Sequence, residues 1–161
     1  MAELPAPSKH ARRLQATGNG LQGGEHVFTA IRFHRNRLID FNPISVGARF
    51  VSAAVKKSED RSPYAAPPLA ARIGQYRDGL LAITNFHLLL YQRNGLLFGY
   101  RPEVSFWPAE VRSITAVEAR FAHPVSIVFA DGSSCELDAD TARSRHHLFE
   151  VLDALHTINA R

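Results

Sequence analysis

The sequence predicts a mainly β fold of the α+β class, an antiparallel barrel or sandwich closed by one C-terminal helix. Three observations predict it: short runs of alternating apolar and polar residues, turn residues between those runs, and one amphipathic segment at the end of the chain. With 161 residues and 45% hydrophobic content, the chain can bury roughly two-thirds of its surface around one core. The sequence therefore predicts a single domain with one flexible terminal segment.

The flexible segment is at the N-terminus. Residues 1–24 are predicted to form a flexible basic arm, and residues 25–161 the folded domain. The arm is rich in Pro and Gly and shows little periodic hydrophobicity. Its basic cluster consists of Lys9, His10, Arg12 and Arg13. A short helix over residues 8–16 would be marginal in isolation.

The first half of the domain contains two strand candidates, residues 25–33 and residues 49–55. In the first, alternate positions are predicted to point to one face. These positions are Val27, Thr29, Ile31 and Phe33. Residues 58–74 are polar and proline-rich, so they are predicted to form a long exposed loop, either functional or inserted and mobile.

From residue 80 onward the pattern is that of an antiparallel meander. Thr84 and Asn85 are predicted to turn the chain between two apolar runs. Hairpin turns are predicted after residue 93 and after residue 130, because the pairs Asn-Gly and Asp-Gly tolerate the positive φ of a tight turn. A further extended segment is predicted to end at Phe106 and Trp107, and later strands cover residues 111–117, 125–129 and 135–137.

The last predicted element is an amphipathic helix over about residues 141–158. Its apolar stripe consists of Leu148, Val151, Leu152, Leu155 and Ile158. Asp140 is the candidate N-cap. We expect the stripe to pack against the open end of the sheet.

The sequence contains no catalytic or metal-binding pattern. The single cysteine, Cys135, excludes an intramolecular disulfide and a thiolate zinc site. His146 and Glu150 are four residues apart on the predicted helix, but opposite its apolar stripe, so they are expected to face solvent. A G-x-G-x-x-G pattern that begins at Gly18 lacks the preceding strand that dinucleotide binding needs. We predict no catalytic residue, no cofactor and no metal.

The sequence also argues against nucleic-acid binding and against a membrane-spanning helix. Trp107 and Tyr91 could stack on a base, but aromatic residues of strands are more often buried, and both are predicted to be core residues. Basic residues do not interleave with exposed aromatics on one predicted sheet face. No apolar run approaches the roughly 20 residues of a membrane-spanning helix. The predicted compartment is the cytoplasm.

The order of these segments resembles the GRAM-like and bacterial branch of the pleckstrin-homology (PH-like) superfold. The resemblance rests on LQGGEHVFTA, LLAITNFHLLLYQ, WPAEVRSITAVEA and VSIVFADGSSCEL, followed by a terminal helix. It covers about residues 21–158, and residues 40–79 are longer and richer in proline than a minimal member of the group. The resemblance implies a seven-stranded antiparallel barrel or sandwich capped by one C-terminal helix. It also implies a module that binds proteins, anionic membranes or phosphoinositides.

The excess of basic residues lies in the N-terminal part of the chain. Residues 1–61 carry 10 Lys and Arg against 5 Asp and Glu, and residues 62–161 carry 9 against 10. The resemblance places phosphate-binding residues on the first two strands and their loop. Of that pattern, this sequence has Arg35 and Arg37, with Arg32 nearby. If the first two predicted strands pair, one anion-binding patch would form from Arg32, Arg35, Arg37, Lys56 and Lys57. At about 1 kcal/mol for each residue near an anionic leaflet, this set is too weak for stable anchoring alone, and a solvated basic edge that discourages strand pairing is the other interpretation.

We therefore expect a binding or assembly module, such as an adaptor, that acts through protein–protein interaction. An unpaired strand edge, or the groove beside the terminal helix, would accept a peptide or a second copy of the chain. The alternative is peripheral binding to the anionic inner face of a membrane, or phosphoinositide-type binding, through the basic patch. An enzyme would need a deep pocket with two converging titratable groups.

Overall fold

The computed structural model of this protein describes residues 4–34, 67–73, 78–94 and 99–159. Seven strands are present: β1 Val27–His34, β2 Asp78–Thr84, β3 Leu88–Asn94, β4 Gly99–Phe106, β5 Val111–Ala116, β6 Pro124–Phe129 and β7 Ser134–Ala139. They form one antiparallel sheet in the order β4-β3-β2-β1-β7-β6-β5. Helix α1 Lys9–Thr17 precedes the sheet, and helix α2 Ala142–Asn159 follows it. The predicted mainly β, α+β class is confirmed.

The meander is built by the turns that the sequence predicts. The chain turns between β2 and β3 directly after Thr84, and Gly132, with a φ of 81°, turns it between β6 and β7. A one-turn 3₁₀ helix, Pro108–Glu110, leads from β4 into β5. The strand candidate at residues 49–55, the predicted loop up to residue 66 and Gly95 lie outside the described residues.

The sheet curls so that its distant strands meet. The rings of Phe106 on β4 and Phe129 on β6 have centroids 4.7 Å apart. In a flat sheet these two strands, five positions apart in the order, would be separated by about 24 Å. The inner face therefore encloses a core, which we call the inner core. Its members include Ile31, Phe33, Leu81, Leu90, Phe106, Ile127, Phe129, Leu137 and Leu148.

Helix α2 closes this core as predicted. Leu148 and Val151 are fully buried, and Leu152 and Leu155 pack against the inner core. Ile158 is 44% exposed, so the apolar stripe loses its contact with the sheet before the helix ends. The N-cap differs from the prediction, because Oγ1 of Thr141 accepts the N–H of Ser144 at 3.1 Å. The N–H of Asp140 instead donates to the carbonyl oxygen of Arg32.

Helix α1 packs on the outer face of the sheet, where the sequence predicts a flexible arm. Ala11 and Leu14 of α1 are buried in a second cluster, which we call the outer core. The sheet contributes Val27, Ala30, Leu80, Ala82, Leu89 and Tyr91 to it. A nine-residue helix is marginal in isolation, and burial of its apolar side supplies the missing stability. Strands β2 and β3 are therefore covered on both faces.

A bulge in β1 changes one predicted orientation. The pairing register shifts between Val27 and Thr29, and a bulge of this kind reverses the alternation of the side chains. Val27 consequently lies in the outer core, whereas Ile31 and Phe33 lie in the inner core. The prediction that all of them share one face is wrong for Val27.

Candidate functional site

A buried carboxylate joins the start of β1 to the turn between β2 and β3. Glu25 is 3% exposed. Its carboxylate accepts the Gln22 N–H at 2.8 Å, the Thr84 hydroxyl at 2.6 Å and Nδ1 of His87 at 2.9 Å. Burial raises the pKa of Glu25 and is the largest influence, but the hydrogen bonds from Gln22, Thr84 and His87 together bring this pKa below its ordinary value. Glu25 is therefore held as a satisfied anion.

Thr84 organises the turn itself. Its Oγ1 accepts the N–H of Phe86 at 3.1 Å and the N–H of His87 at 2.8 Å, while the same hydroxyl donates to Glu25. Side-chain bonds of this kind replace the backbone partners that a turn lacks. The turn therefore has little freedom, and His87 is positioned by both its backbone and its ring.

Two exposed aromatic rings contact His87, a member of this buried network. The ring of His87 contacts the ring of Trp107 with centroids 4.2 Å apart, and the ring of Phe86 with centroids 6.3 Å apart. Trp107 is 55% exposed and Phe86 is 38% exposed. We call these two residues the aromatic pair. Because its support is buried and hydrogen-bonded, the pair is presented to solvent in a fixed arrangement.

The exposure of Trp107 corrects the prediction that it belongs to the core. Trp107 follows the end of β4, at the entry to the Pro108–Glu110 turn, so the alternation of the strand no longer decides where its side chain points. The Trp107 N–H donates to the carboxylate of Glu110 at 2.8 Å, which holds the backbone there. Tyr91, by contrast, is buried in the outer core as predicted.

Charged groups border the aromatic pair. The guanidinium of Arg72 donates to Glu110 at 3.0 Å and to the carbonyl oxygen of Ser105 at 2.9 Å, and its Cζ lies 4.7 Å from the ring centroid of Phe106. Arg72 ends the 3₁₀ helix Leu69–Arg72. A polar, salt-bridged rim thus lies beside the exposed Trp107.

The hairpin between β6 and β7 holds the 3₁₀ helix that carries Arg72. Asp131 accepts the N–H of Leu69 at 2.7 Å, and Oγ of Ser133 accepts the N–H of Ala70 at 3.0 Å. Asp131 also accepts the N–H of Ser133 within its own turn. The prediction that Asp131 serves its turn is confirmed, and the same side chain caps a second element.

Side chains cover the open edge of β1. This strand pairs with β7 only at Phe33 and His34. Nearer its start, Gln15 of α1 accepts the Val27 N–H at 2.8 Å, and Oγ of Ser8 donates to the Ala30 carbonyl oxygen at 2.8 Å. A peptide that added to this edge would have to displace both side chains.

Side chains also occupy backbone hydrogen-bonding groups along the outer edge of β4. The Asn19 amide donates to the carbonyl oxygen of Tyr100 at 2.7 Å, and Arg72 occupies that of Ser105. Pro102 has no N–H to offer. A strand that added at either of these two places would therefore have to displace side chains; the other terminal strand of the sheet is β5.

Of the predicted anion-binding set, only Arg32 lies within the part of the chain that the structure describes. Arg35, Arg37, Lys56 and Lys57 lie outside it. The charge of Arg32 acts on His10 of α1, and its Nε is buried without a hydrogen-bond partner among the described residues. Arg32 is thus associated with the basic cluster of α1.

The loop between β5 and β6 exposes an apolar tip that the sequence analysis missed. Phe121 is 90% exposed, and the Cζ of Arg120 lies 5.2 Å from its ring centroid. His34, the last residue of β1, and Pro124, the first of β6, both pair with Asp138. The loop therefore lies at the end of the sheet where β1 finishes. The available signal was a single Phe between strand patterns, with no apolar residue at alternate positions.

The candidate metal and thiol positions show no site. His146 and Glu150 form a largely exposed pair with 3.3 Å between Nε2 and Oε1. Among residues 4–34, 67–73, 78–94 and 99–159, no three His, Cys, Asp or Glu side chains are grouped to hold a metal ion. Cys135 is half-buried on β7 against the inner core. Neither of the two described α-helices has the length and apolar character needed to cross a membrane.

Neither family models nor curated proteins assign this chain to a family. No protein-family model matches this chain, and a search of curated proteins finds no significant match. The seven-stranded antiparallel sheet and the C-terminal helix are compatible with a PH-like fold.

Proposed function

We propose that this protein is a non-enzymatic, GRAM-like member of the PH-like group that binds a partner protein through the aromatic pair, Phe86 and Trp107. The observation that carries the proposal is a half-exposed Trp107 whose ring lies in tilted contact with His87, which is itself buried and paired with Glu25. Trp and Arg are enriched among the residues that dominate interface energies. A ring already held in place loses little conformational entropy when a partner covers it.

The surroundings of the pair support a protein surface as the ligand. The apolar centre formed by Trp107 and Phe86 is bordered by the Arg72–Glu110 ion pair. An apolar centre with a polar rim is the usual anatomy of a protein interface. We expect the partner to place an apolar side chain against Trp107 and polar groups toward Arg72 and Glu110.

The test uses the full chain with a photo-crosslinking residue in place of Ala109, an exposed position two residues from Trp107, expressed in its native cells, so that the Trp107 ring is kept. A discrete adduct would identify the partner, which is then purified for titration. Trp107 is the only tryptophan in the chain, so its own fluorescence should shift to the blue as the partner covers it. Trp107→Ala should weaken binding at least about tenfold.

Phe121→Ser is the matched control, because it removes an exposed aromatic ring elsewhere on the surface. It should leave the affinity for the partner within about twofold, since exposed residues outside an interface contribute little. If Trp107→Ala and Phe121→Ser weaken binding equally, or if position 109 yields no discrete adduct, the proposed docking surface is wrong.

Peripheral binding to an anionic membrane is a second candidate, favoured by the Phe121 tip. An exposed Phe beside Arg120 combines an apolar group with a cation, as membrane-surface segments do. Arg35 and Arg37 follow His34 in the sequence, and His34 is the last residue of β1, at the end of the sheet where this tip lies. Co-sedimentation with vesicles of phosphatidylserine and phosphatidylcholine should be lost in Phe121→Ser and retained in Trp107→Ala. Equal binding to pure phosphatidylcholine would contradict this candidate.

A further inference from the structure

A pocket of about 130 Å³ opens between α1 and the sheet, at the opposite end of β4 from Trp107. Its apolar lining includes Leu14 of α1 and Leu80 of β2, and the ring of Tyr100 forms part of its wall. Its volume is well above the roughly 10–15 Å³ that a single water molecule requires. The pocket therefore has room for a ligand with an apolar body.

The charges around this pocket are predominantly positive. Arg13 and His10 line it, and among the residues that the structure describes no Asp or Glu does so. Burial is the largest influence on His10 and lowers its pKa; the charge of Asp140 opposes this shift, and the charges of Arg32, Lys9 and Arg13 add to it. Arg13 therefore supplies the positive charge at the pocket, and the His10 ring supplies a neutral N–H donor. The basic cluster of the N-terminal segment is thus folded against an apolar cavity. A ligand that matches both features carries a negative charge and an apolar group.

We propose that this pocket binds a phosphate monoester with a small aromatic or aliphatic body, with the phosphate at Arg13 and His10 and the body against Leu14, Leu80 and Tyr100. The planar guanidinium of Arg13 presents a fork of N–H donors that matches phosphate oxygens. The three terminal oxygens of a phosphate monoester can accept from both Arg13 and a ring N–H of His10, whereas a carboxylate has only two oxygens. The edge-on contact between the rings of His10 and Tyr100, with centroids 6.4 Å apart, keeps the two parts of the site together.

The apolar lining of the site explains why a phosphate ester fits better than a free ion. Leu14 and Leu80 line the cavity but are only 4% and 1% exposed, so the half-buried ring of Tyr100 offers most of the apolar surface that an ester could cover. A free phosphate could contact only the basic residues at the mouth of the site. An ester also covers apolar surface, which adds to its affinity.

The test is a titration of the full chain with phenyl phosphate, followed by ¹H–¹⁵N correlation spectra. Saturable shifts are expected at the amides of Leu14, Gly99 and Tyr100. Arg13→Gln should weaken binding about tenfold or more, because it removes a charge-assisted contact. Arg12→Gln is the matched control: it removes the same charge from an exposed neighbouring position that does not line the pocket. We expect it to change the affinity less than about twofold.

Several results would overturn the proposal. Equal weakening by Arg12→Gln and Arg13→Gln would mean diffuse attraction to a basic helix. Inorganic phosphate that binds as tightly as phenyl phosphate would remove the role of the apolar body, and benzoate that binds as tightly would remove the preference for phosphate. Trp107→Ala should leave the titration unchanged, which separates this site from the aromatic pair.

Discussion

The side chain of Asn85 pairs with the backbone of His26 as a neighbouring strand residue would. Oδ1 of Asn85 accepts the His26 N–H at 2.7 Å, and the Asn85 N–H donates to the His26 carbonyl oxygen at 3.1 Å. The Asn85 amide also donates to the carbonyl oxygen of Gly24 at 3.2 Å. The β1–β2 ladder, which ends at the Val27 and Thr84 pair, is thereby extended by a side chain.

Removing this carboxamide should free the start of β1. We expect Asn85→Ala to lower the free energy of unfolding by about 1 kcal/mol, since these hydrogen bonds are exposed to water. Hydrogen exchange at the His26 amide should accelerate. Gln92→Ala, at an exposed position of β3, should stay within about 0.5 kcal/mol of the parent protein. Unchanged protection of the His26 amide in Asn85→Ala would contradict this account.

Glu25 should make the fold sensitive to acid. Its pKa in the folded protein lies below the ordinary value of 4.5. The stability that this carboxylate contributes is therefore present above that ordinary value and is lost as the pH falls through the lowered pKa. Glu25→Gln should be less stable at neutral pH by about 2 kcal/mol, because charge-assisted hydrogen bonds are weakened.

Urea unfolding from neutral pH down to well below 4.5 measures this difference. The curves for the parent protein and Glu25→Gln should converge in acid, because the parent alone loses the contribution of the ionised carboxylate. Curves that remain parallel over the whole range would show that the Glu25 carboxylate is not stabilised by folding.

Tyr91 should ionise well above the ordinary tyrosine pKa of 10.0. Burial, followed by the charge of Glu25, raises the pKa of Tyr91 to about 12, and its hydroxyl donates to the carbonyl oxygen of Asn19 at 2.9 Å. The stability linked to Tyr91 is present below the ordinary pKa of 10.0 and is lost as the pH rises through about 12. Tyrosinate absorbance should show a late component that Tyr91→Phe removes. A titration that is the same in both proteins would refute the assignment.

Gly79 allows β2 and β3 to approach closely. A Cβ at this position would lie 2.0 Å from the carbonyl oxygen of Tyr91 and 3.0 Å from the ring of Phe33. Gly79→Ala should therefore destabilise the protein by about 3 kcal/mol or more, since the backbone of β3 would have to move. Gly23→Ala, where no atom lies within 4 Å, should change stability by less than about 0.5 kcal/mol. Thermal or urea unfolding distinguishes the two, and equal stability would contradict the close approach.

Sequence patterns could not predict much of the candidate site, because its residues are far apart along the chain and come together only in the folded structure. Glu25 and His87 are 62 positions apart, and neither residue type in isolation indicates a buried pair. One signal was present: β2 and β3 contain nearly continuous apolar runs, which are typical of strands covered on both faces. That pattern favours an element packed on the outer face of the sheet, the position that α1 occupies.

The sequence by itself determined the local elements. Alternation produced the strands around the Asp131 and Gly132 turn, and helical spacing placed Leu148 and Val151 on the buried side of α2, because backbone geometry imposes these periods on neighbouring residues. Only the tertiary structure decided that α1 packs on the sheet, that Trp107 is exposed above His87 and that Arg32 lies near His10. These outcomes depend on how the sheet curls and on which faces are then in contact. The local pattern of one segment does not indicate which distant segment will pack against it.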